Sequence, residues 1–538
     1  MNKMKKVLVF ALAVMMVFSL IGCSSKTEEP VAKEEPAAKE EKADATSQAS
    51  PTTDESGLYK LPVVEPKPEK ETEQTYDIVV IGAGGAGFSA AIEAASEGAK
   101  VVILEQESVV GGNTSLSGAG FNIPENWVQK SQGIEDSKEL FKADTMKGGD
   151  NKSIEPLVDV LVNRALPTAE WLRDTVGVEI MDDFQKHFGG HTVARALVVK
   201  GGVGSQMIYK MYEKAYELGV KIKVNTKAEE LIADENGRVT GVKASNKSGQ
   251  ELVFNGTKGV IVAAGGFAGN AEMRMKYRPD LNETVKTTNA PGHEGSGIVM
   301  AQKLGAGTEQ MEYIQTYPFC FPTTGKIAFV ADTRMYGAPM VNIEGKRFIN
   351  ENDRRDVVSK AILSQSDSFG YMVWDKKIMD EARTLEIYKG EYDKLVADKL
   401  LVEANTLEEA AGFFGIDKEA LKTTIKNYNS YAEDFITNGT DTKVADKEFK
   451  RNAKMAKVEN GPFYIQKVIP GVHHTMGGLA IDTEARVLTT DGKVIEGLYA
   501  AGEVVGGIHG TNRLGGNALT DITVFGKLAG ETLMKDAK

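Results

Sequence analysis

The chain has 538 residues, enough for two or three domains, and a formal charge of −12, which excludes nucleic acid as an expected partner because phosphate recognition wants net positive charge. Its two cysteines, Cys23 and Cys320, are too few for a c-type haem, an Fe–S centre or a cysteine metal site, and the six histidines include no H-E-x-x-H pair. No metal is therefore expected.

The N-terminus reads as a targeting segment. Lys3, Lys5 and Lys6 precede an apolar run from Val7 to Leu20, too short for a comfortable membrane span. It ends in Leu20-Ile21-Gly22-Cys23, which resembles a bacterial lipobox. The expectation is a signal peptide over 1–22, a lipidated Cys23, and a mature protein held on the extracytoplasmic face of the cell membrane by acyl chains alone. An ordinary signal peptide is the alternative. Ser24 to about Glu73 is rich in Lys, Glu, Pro, Ala and Thr, so residues 23–74 read as a disordered tether.

Folded structure is expected from Thr75. Ile78 to Ile81 is an apolar, β-branched run of the buried parallel-strand kind. Gly82, Gly84 and Gly87 follow as G-x-G-x-x-G. The first suits a tight turn, the second a close approach of pyrophosphate, and the third close packing of the next helix. That helix, about Gly85 to Glu97, presents free N–H groups to phosphate. A second strand, Lys100 to Leu104, ends in Glu105, placed to meet a ribose hydroxyl. An acid there favours FAD or NAD over NADP.

Gly111 to Asn122 is a loop of small residues where backbone can lie against a flat ring, with Asn113 and Thr114 free to bond a phosphate or ring edge. Helices are expected over Leu140 to Asp174 and Gly201 to Leu218, a strand over Lys221 to Val224, and a hairpin over Leu231 to Val242 turning at Asn236-Gly237. Gly259 to Gly266 reads as a buried strand running into a glycine turn, and Glu294 to Gly307 as a glycine-opened helix. From about Glu312 aromatic residues cluster, and from Asp375 to about Lys450 the chain is charged and helical. Strand Leu498 to Ala501 then runs into Gly502-Glu503, and Gly515-Gly516-Asn517 opens a final helix whose N-terminus suits negative charge on a reduced flavin. The fold class is α/β: a discontinuous Rossmann-like FAD-binding domain, 75–312 and 474–538, with an inserted α+β capping domain, 313–473.

The motifs IGAGGAG (81–87), GGNTSLSGAG (111–120), NIEGKRFINENDRRD (342–356), GVHHTMGG (471–478) and AAGEVVGGIHGTNRLGGNAL (500–519) together resemble the soluble fumarate reductase flavoproteins. The resemblance implies FAD and two-electron reduction of a carbon–carbon double bond conjugated to a carboxylate, with hydride from flavin N5. It implies that Arg355 is the proton donor, Arg334 a relay, and His473 and Arg513 the carboxylate clamp, with Gly516 against substrate. It further implies cofactor contacts at Ala86, Gly118, Ala119, Gly120, Ala228, Glu503, Asn517, Ala518 and Leu519. Relatives with a covalent flavin use a histidine where this chain has Asn113-Thr114, so the FAD is expected to be non-covalent.

Two departures bear on substrate. Fumarate-specific members have His before Pro where this chain has Tyr317-Pro318, and Thr-Glu where it has Val330-Ala331, followed by Asp332. Tyr317 and Asp332 match the urocanate-reducing branch, and a carboxylate there suits an imidazole rather than a second substrate carboxylate. The expectation is urocanate reduction, with fumarate or another acrylate as the alternative. A surface solute-binding lipoprotein is the alternative of another class. Residues 24–73 are too short and polar for a haem or FMN domain, so electrons are expected from a separate protein or carrier.

Overall fold

The computed structural model describes residues 52–53, 59–439 and 445–538. The expected signal peptide, Cys23 and the expected tether as far as residue 51 lie outside the described residues. Residues 59–72, expected to belong to the tether, are instead laid along the body. Gln206 brackets the Tyr59 backbone with two hydrogen bonds of 3.1 Å, and Tyr59 stacks on Tyr209 with ring centroids 4.2 Å apart. Further on, the Val64 amide donates to Ser108 O at 2.9 Å, and Lys223 pairs with Glu69 at 2.8 Å. The polar composition concealed these contacts because most are made by backbone groups.

The central strand β1 (Glu73–Ile81) runs into α1 (Gly85–Ser96) and returns through β2 (Val101–Leu104). Helices α2 (Lys138–Gly148) and α3 (Glu155–Trp171) precede β3 (Ile180–Lys186), α4 (Gly204–Glu217) and β4 (Lys221–Lys223). The hairpin is β5 (Thr226–Ala233) and β6 (Val239–Asn246). The strand expected over Gly259 to Gly266 is the second half of a longer one, β7 (Glu251–Val262). Its first half pairs antiparallel with β6, and a register shift between Gly256 and Gly259 breaks the alternation that would have shown it in the sequence.

The second region contains β8 (Ile314–Cys320), a 3-10 helix (Phe329–Tyr336), β9 (Met340–Val341), α5 (Arg355–Leu363) and β10 (Gly370–Asp375). Then come α6 (Lys389–Ala397), β11 (Leu401–Ala404), α7 (Lys418–Asn438) and β12 (Phe463–Thr475). Strand β11 interrupts the segment read as helical; it is short and pairs antiparallel with β12. The chain closes with β13 (Arg486–Leu488), β14 (Val494–Ala500) and α8 (Asn517–Asp536).

Eight strands form the larger sheet, with the path β13-β14-β7-β1-β2-β4 and the β5–β6 hairpin attached through β7. Strands β14, β7, β1, β2 and β4 are parallel along it, so their carboxyl ends share one edge. Helix α8 packs against α1 at near-backbone contact: a Cβ on Gly526 would lie 2.5 Å from Ala86 O. One apolar core joins residues from Ile78 to Ile314 with those from Val472 to Met534. Another, from Tyr317 to Val468, surrounds a five-stranded sheet of β8, β12, β10, β9 and β11. Among the described residues, no helix is long and apolar enough to cross a membrane.

Candidate active site

A cavity of about 660 Å³ lies at the carboxyl edge of the parallel strands, where open α/β sheets bind ligands, and within the size range of small-molecule sites. One wall is built by the dinucleotide motif. Gly82, Gly84 and Ala86 line it, and a Cβ on Gly84 would point into open space, its nearest atom Gly111 O at 4.0 Å. That space suits a phosphate. Glu105 also lines the cavity; its oxygens accept the Ala83 and Glu107 amides, each at 2.9 Å. Burial pushes its pKa up, and those amides oppose the shift. Thr114 Oγ1 accepts the Gly85 amide at 3.2 Å, fixing the 111–120 loop over the N-terminus of α1. Gly118, Ala119, Gly120 and Ala228 continue this wall, and Gly516, Ala518 and Leu519 bring the N-terminus of α8 to it from the other side. A flat dinucleotide fits: helix amides, an acid at a strand end, and small residues between.

Three expected site residues are absent from the cavity wall, and a fourth lines it with its side chain otherwise engaged. Gly87 faces the sheet, where a Cβ would strike Gly82 O at 1.9 Å, so it serves packing. The buried Asn517 side chain accepts from Asn122 at 2.7 Å and donates to Thr145 at 3.1 Å. Arg334 sits behind the wall, its guanidinium 4.4 Å over the Phe319 ring. Asn113, though on the wall, is bonded to Asn289 at 2.5 Å and to the Ala290 amide at 2.8 Å, partners 176 and 177 residues away that no local pattern reveals.

The opposite end holds two cations, Arg513 buried and Arg355 half-buried. Arg355, at the first position of α5, lies 4.8 Å over the Tyr317 ring and makes a 3.4 Å hydrogen bond to Gln315. Its neighbour Asp356 pairs with Arg354 instead, at 2.8 Å. Burial is the largest cause lowering the Arg355 pKa, and Arg334 adds to it. Arg513 is 4% exposed; among the described residues its Nε has no partner, and its one side-chain hydrogen bond is to Leu514 O at 3.3 Å. Burial and Arg355 lower it well below the ordinary guanidinium value. His473 is kept neutral by burial and Arg513, and its Nδ1 is 2.8 Å from Thr288 Oγ1. Gln315, which the sequence did not single out, also donates to Asn512 at 2.6 Å and to Arg513 O at 2.8 Å, so one amide spans both arginine segments.

At the far end, Asp332 lines the cavity but is already paired: Arg334 donates to its Oδ1 at 2.7 Å. Burial pushes the Tyr317 hydroxyl up to about 12, with Asp332 adding to the effect. Lys186 and Phe329 line the same end without having been marked in the sequence. Along the floor, His293, Glu503 and His474 meet. Glu503 is held at about 2: burial opposes its charge, but His474 at 3.3 Å, His293 and the Thr475 amide at 3.0 Å outweigh it.

Fold and site together define a dinucleotide-dependent oxidoreductase whose cavity has two arginines at one end. An FAD binding domain family model matches residues 77–519. Over 456 residues the chain is 43% identical to the urocanate reductase of Eggerthella lenta, covering 84% of this chain and 74% of that one. It is 39% identical over 466 residues to the cytochrome fumarate reductase of Shewanella frigidimarina, covering 86% and 78%. The open conformation of a flavocytochrome c3 fumarate reductase matches with a TM-score of 0.71 at 34% identity, over 86% of this chain and 79% of that one. This chain belongs to the fumarate reductase flavoprotein family: it is an FAD-dependent enoate reductase.

Proposed function

We propose that the enzyme reduces urocanate to imidazolepropionate at the extracytoplasmic face of a membrane, anchored by lipid on Cys23, with non-covalent FAD and electrons from a separate donor. One observation carries the substrate class. Arg513, buried, and Arg355, half-buried, are cations facing one cavity, and among the described residues neither has a carboxylate within ion-pair distance. A substrate carboxylate supplies the missing partner. For urocanate in particular, support comes from Asp332, whose Oδ2 accepts no hydrogen bond among the described residues, and from the urocanate reductase relative.

When bound, FAD supplies the hydride. Arg513 takes the carboxylate, and His473 donates its Nε2–H while the Thr288 hydroxyl satisfies Nδ1. Negative charge grows toward that carboxylate as the alkene is reduced, so both donors bind the transition state more tightly than the substrate. Arg355 gives a proton to the neighbouring carbon. A guanidinium normally holds its proton; here burial, Arg334 and the positive end of α5 loosen it. Arg334 is the relay that restores it.

A second reading is fumarate. Lys186 and Arg334 against the single charge of Asp332 leave the far end positive, which suits a second carboxylate, and the Shewanella relative is named a fumarate reductase. A substrate panel with reduced viologen as donor separates the two. Urocanate is expected to be fastest, and fumarate outrunning it sinks the first reading. Acid precipitation is expected to leave the yellow colour in the supernatant, and Cys23→Ser to release the protein from the membrane fraction.

A further inference from the structure

We infer that Lys186 reads the charge of the ring at the far end of the substrate, admitting a neutral imidazole and rejecting an imidazolium. This rests on the urocanate reading. Lys186 ends β3, in the sheet-bearing body, yet reaches the capping side: its Nζ is 3.2 Å from Tyr388 Oη and 4.0 Å from Asp332 Oδ2. Its side chain is 10% exposed and lines the same cavity as Asp332 and Tyr317.

The charged and titratable groups that act on it or on its neighbours come from several elements, with Arg383 beyond Tyr336. The 3-10 helix contributes Asp332, Arg334 and Tyr336; the segment before α6 contributes Tyr388, and α6 itself Glu391; β8 contributes Tyr317, α5 Arg355, and His187 follows in the chain. Glu391 accepts the Val330 amide at 2.7 Å, and burial pushes it up to about 7, so it adds little negative charge in mild acid. Tyr317, Tyr336 and Tyr388 all have raised pKa values, chiefly from burial, and stay neutral. The wall beside Asp332 therefore holds Lys186 and the paired Arg334 against one carboxylate, with Arg355 farther along it toward the substrate carboxylate.

Without Lys186, Asp332 and Arg334 cancel, and a protonated ring meets much less repulsion. With it, an imidazolium within a few ångströms of Asp332 also lies close to a like charge, whereas a neutral ring can donate its N–H to Asp332 Oδ2 at no such cost. Lys186 is thus a specificity residue for the ionisation state of the substrate. Burial opposes its charge, but the Tyr388 hydroxyl and Asp332 raise its pKa above the ordinary lysine value.

The test compares kcat/KM for urocanate and phenylacrylate across pH, using FAD-loaded wild type, Lys186→Met and Lys186→Arg with reduced viologen. Wild-type activity on urocanate is expected to fall about tenfold per pH unit below the ring pKa, roughly 6.5, on a limb that phenylacrylate lacks. In Lys186→Met the urocanate-to-phenylacrylate ratio near pH 5.5 is expected to rise about tenfold, with little change near pH 8. Lys186→Arg keeps the wild-type limb. An unchanged acid limb in Lys186→Met, or equal losses on both substrates, overturns the role of Lys186 while leaving the urocanate reading intact. A wild type that reduces phenylacrylate but not urocanate overturns both.

Discussion

Two sets of arginines, some in one core and some between the two, have opposite company. Inside the capping core, Arg347 pairs with Glu351 at 2.8 Å and Asp446 at 3.2 Å, while Arg451 pairs with Glu351 at 3.0 Å and donates to Ala338 O at 3.0 Å. Arg451 also donates to Arg334 O, tying the network to the helix that carries Asp332. Arg347 and Arg451 hold the Glu351 carboxyl low against its burial. At the cavity, Arg513 is comparably buried and Arg355 half-buried, and among the described residues they make hydrogen bonds only to a carbonyl and an amide oxygen. Burying a charge costs several kcal/mol unless it is paired. The first set meets that cost within the fold. In the proposed function the second is left for a substrate carboxylate to offset.

Removing Arg355 breaks the contrast most severely. Arg355→Ala is expected to lose about 10²–10⁴-fold in kcat, with FAD content and KM little changed, as steady-state kinetics and the flavin spectrum would show. Retention of more than about a tenth of kcat, a loss below roughly 1.4 kcal/mol, would make another group the acid, Tyr317 first. Glu351→Gln should do the reverse, costing about 3–5 kcal/mol of stability in urea unfolding while the folded fraction keeps its turnover. The Glu351 pKa is depressed in the fold, so its contribution is present above its unfolded value, about 4.3, and is lost as pH falls below it. The variant should accordingly show a flatter acid dependence than wild type.

Asp332→Ala sharpens the far end. It should cut urocanate kcat/KM by roughly ten- to a hundredfold, the equivalent of about 1.5–3 kcal/mol, and harm phenylacrylate far less; unchanged urocanate kinetics would remove Asp332 from substrate recognition. The smallest effect is expected at Asp150. It accepts from Arg354, next to Arg355, and from Thr511 Oγ1 at 2.5 Å, two residues before Arg513. The pair is part-exposed, so Asp150→Asn should lower kcat only a few-fold, and added salt should mimic the substitution. A kcat indifferent to both would show that the two arginines are aligned without it.

Much of the body was legible because its signals are local. Glycine spacing, an apolar strand and a terminal acid place Gly84, Glu105 and the N-terminus of α1 within one short stretch. Arg355, Arg513 and His473 came through motif resemblance, and all three line the cavity. What the sequence hid depends on distance along the chain. Lys186 sits in MDDFQK, a strand with no motif, and its meaning lies in Asp332 and Tyr388, 146 and 202 residues away. Gln315 lies in a fully buried strand where a polar residue reads as an irregularity, and only the folded chain shows the two arginine segments it joins. Asn113 looked free because its partner Asn289 is remote. Arg334, expected as the relay, pairs with Asp332 and is not itself part of the cavity wall.

The unpaired arginines have a practical consequence for handling the protein. Arg355 is among the groups that depress Arg513, so the two oppose each other's charge whenever nothing negative lies between them. Acetate, formate or chloride can fill that role, and any solute that binds only the folded state stabilises it in proportion to the logarithm of its concentration. The melting temperature should therefore climb with carboxylate buffers, and the same buffers should compete with substrate. A preparation chosen for long storage life would be the one that assays most poorly.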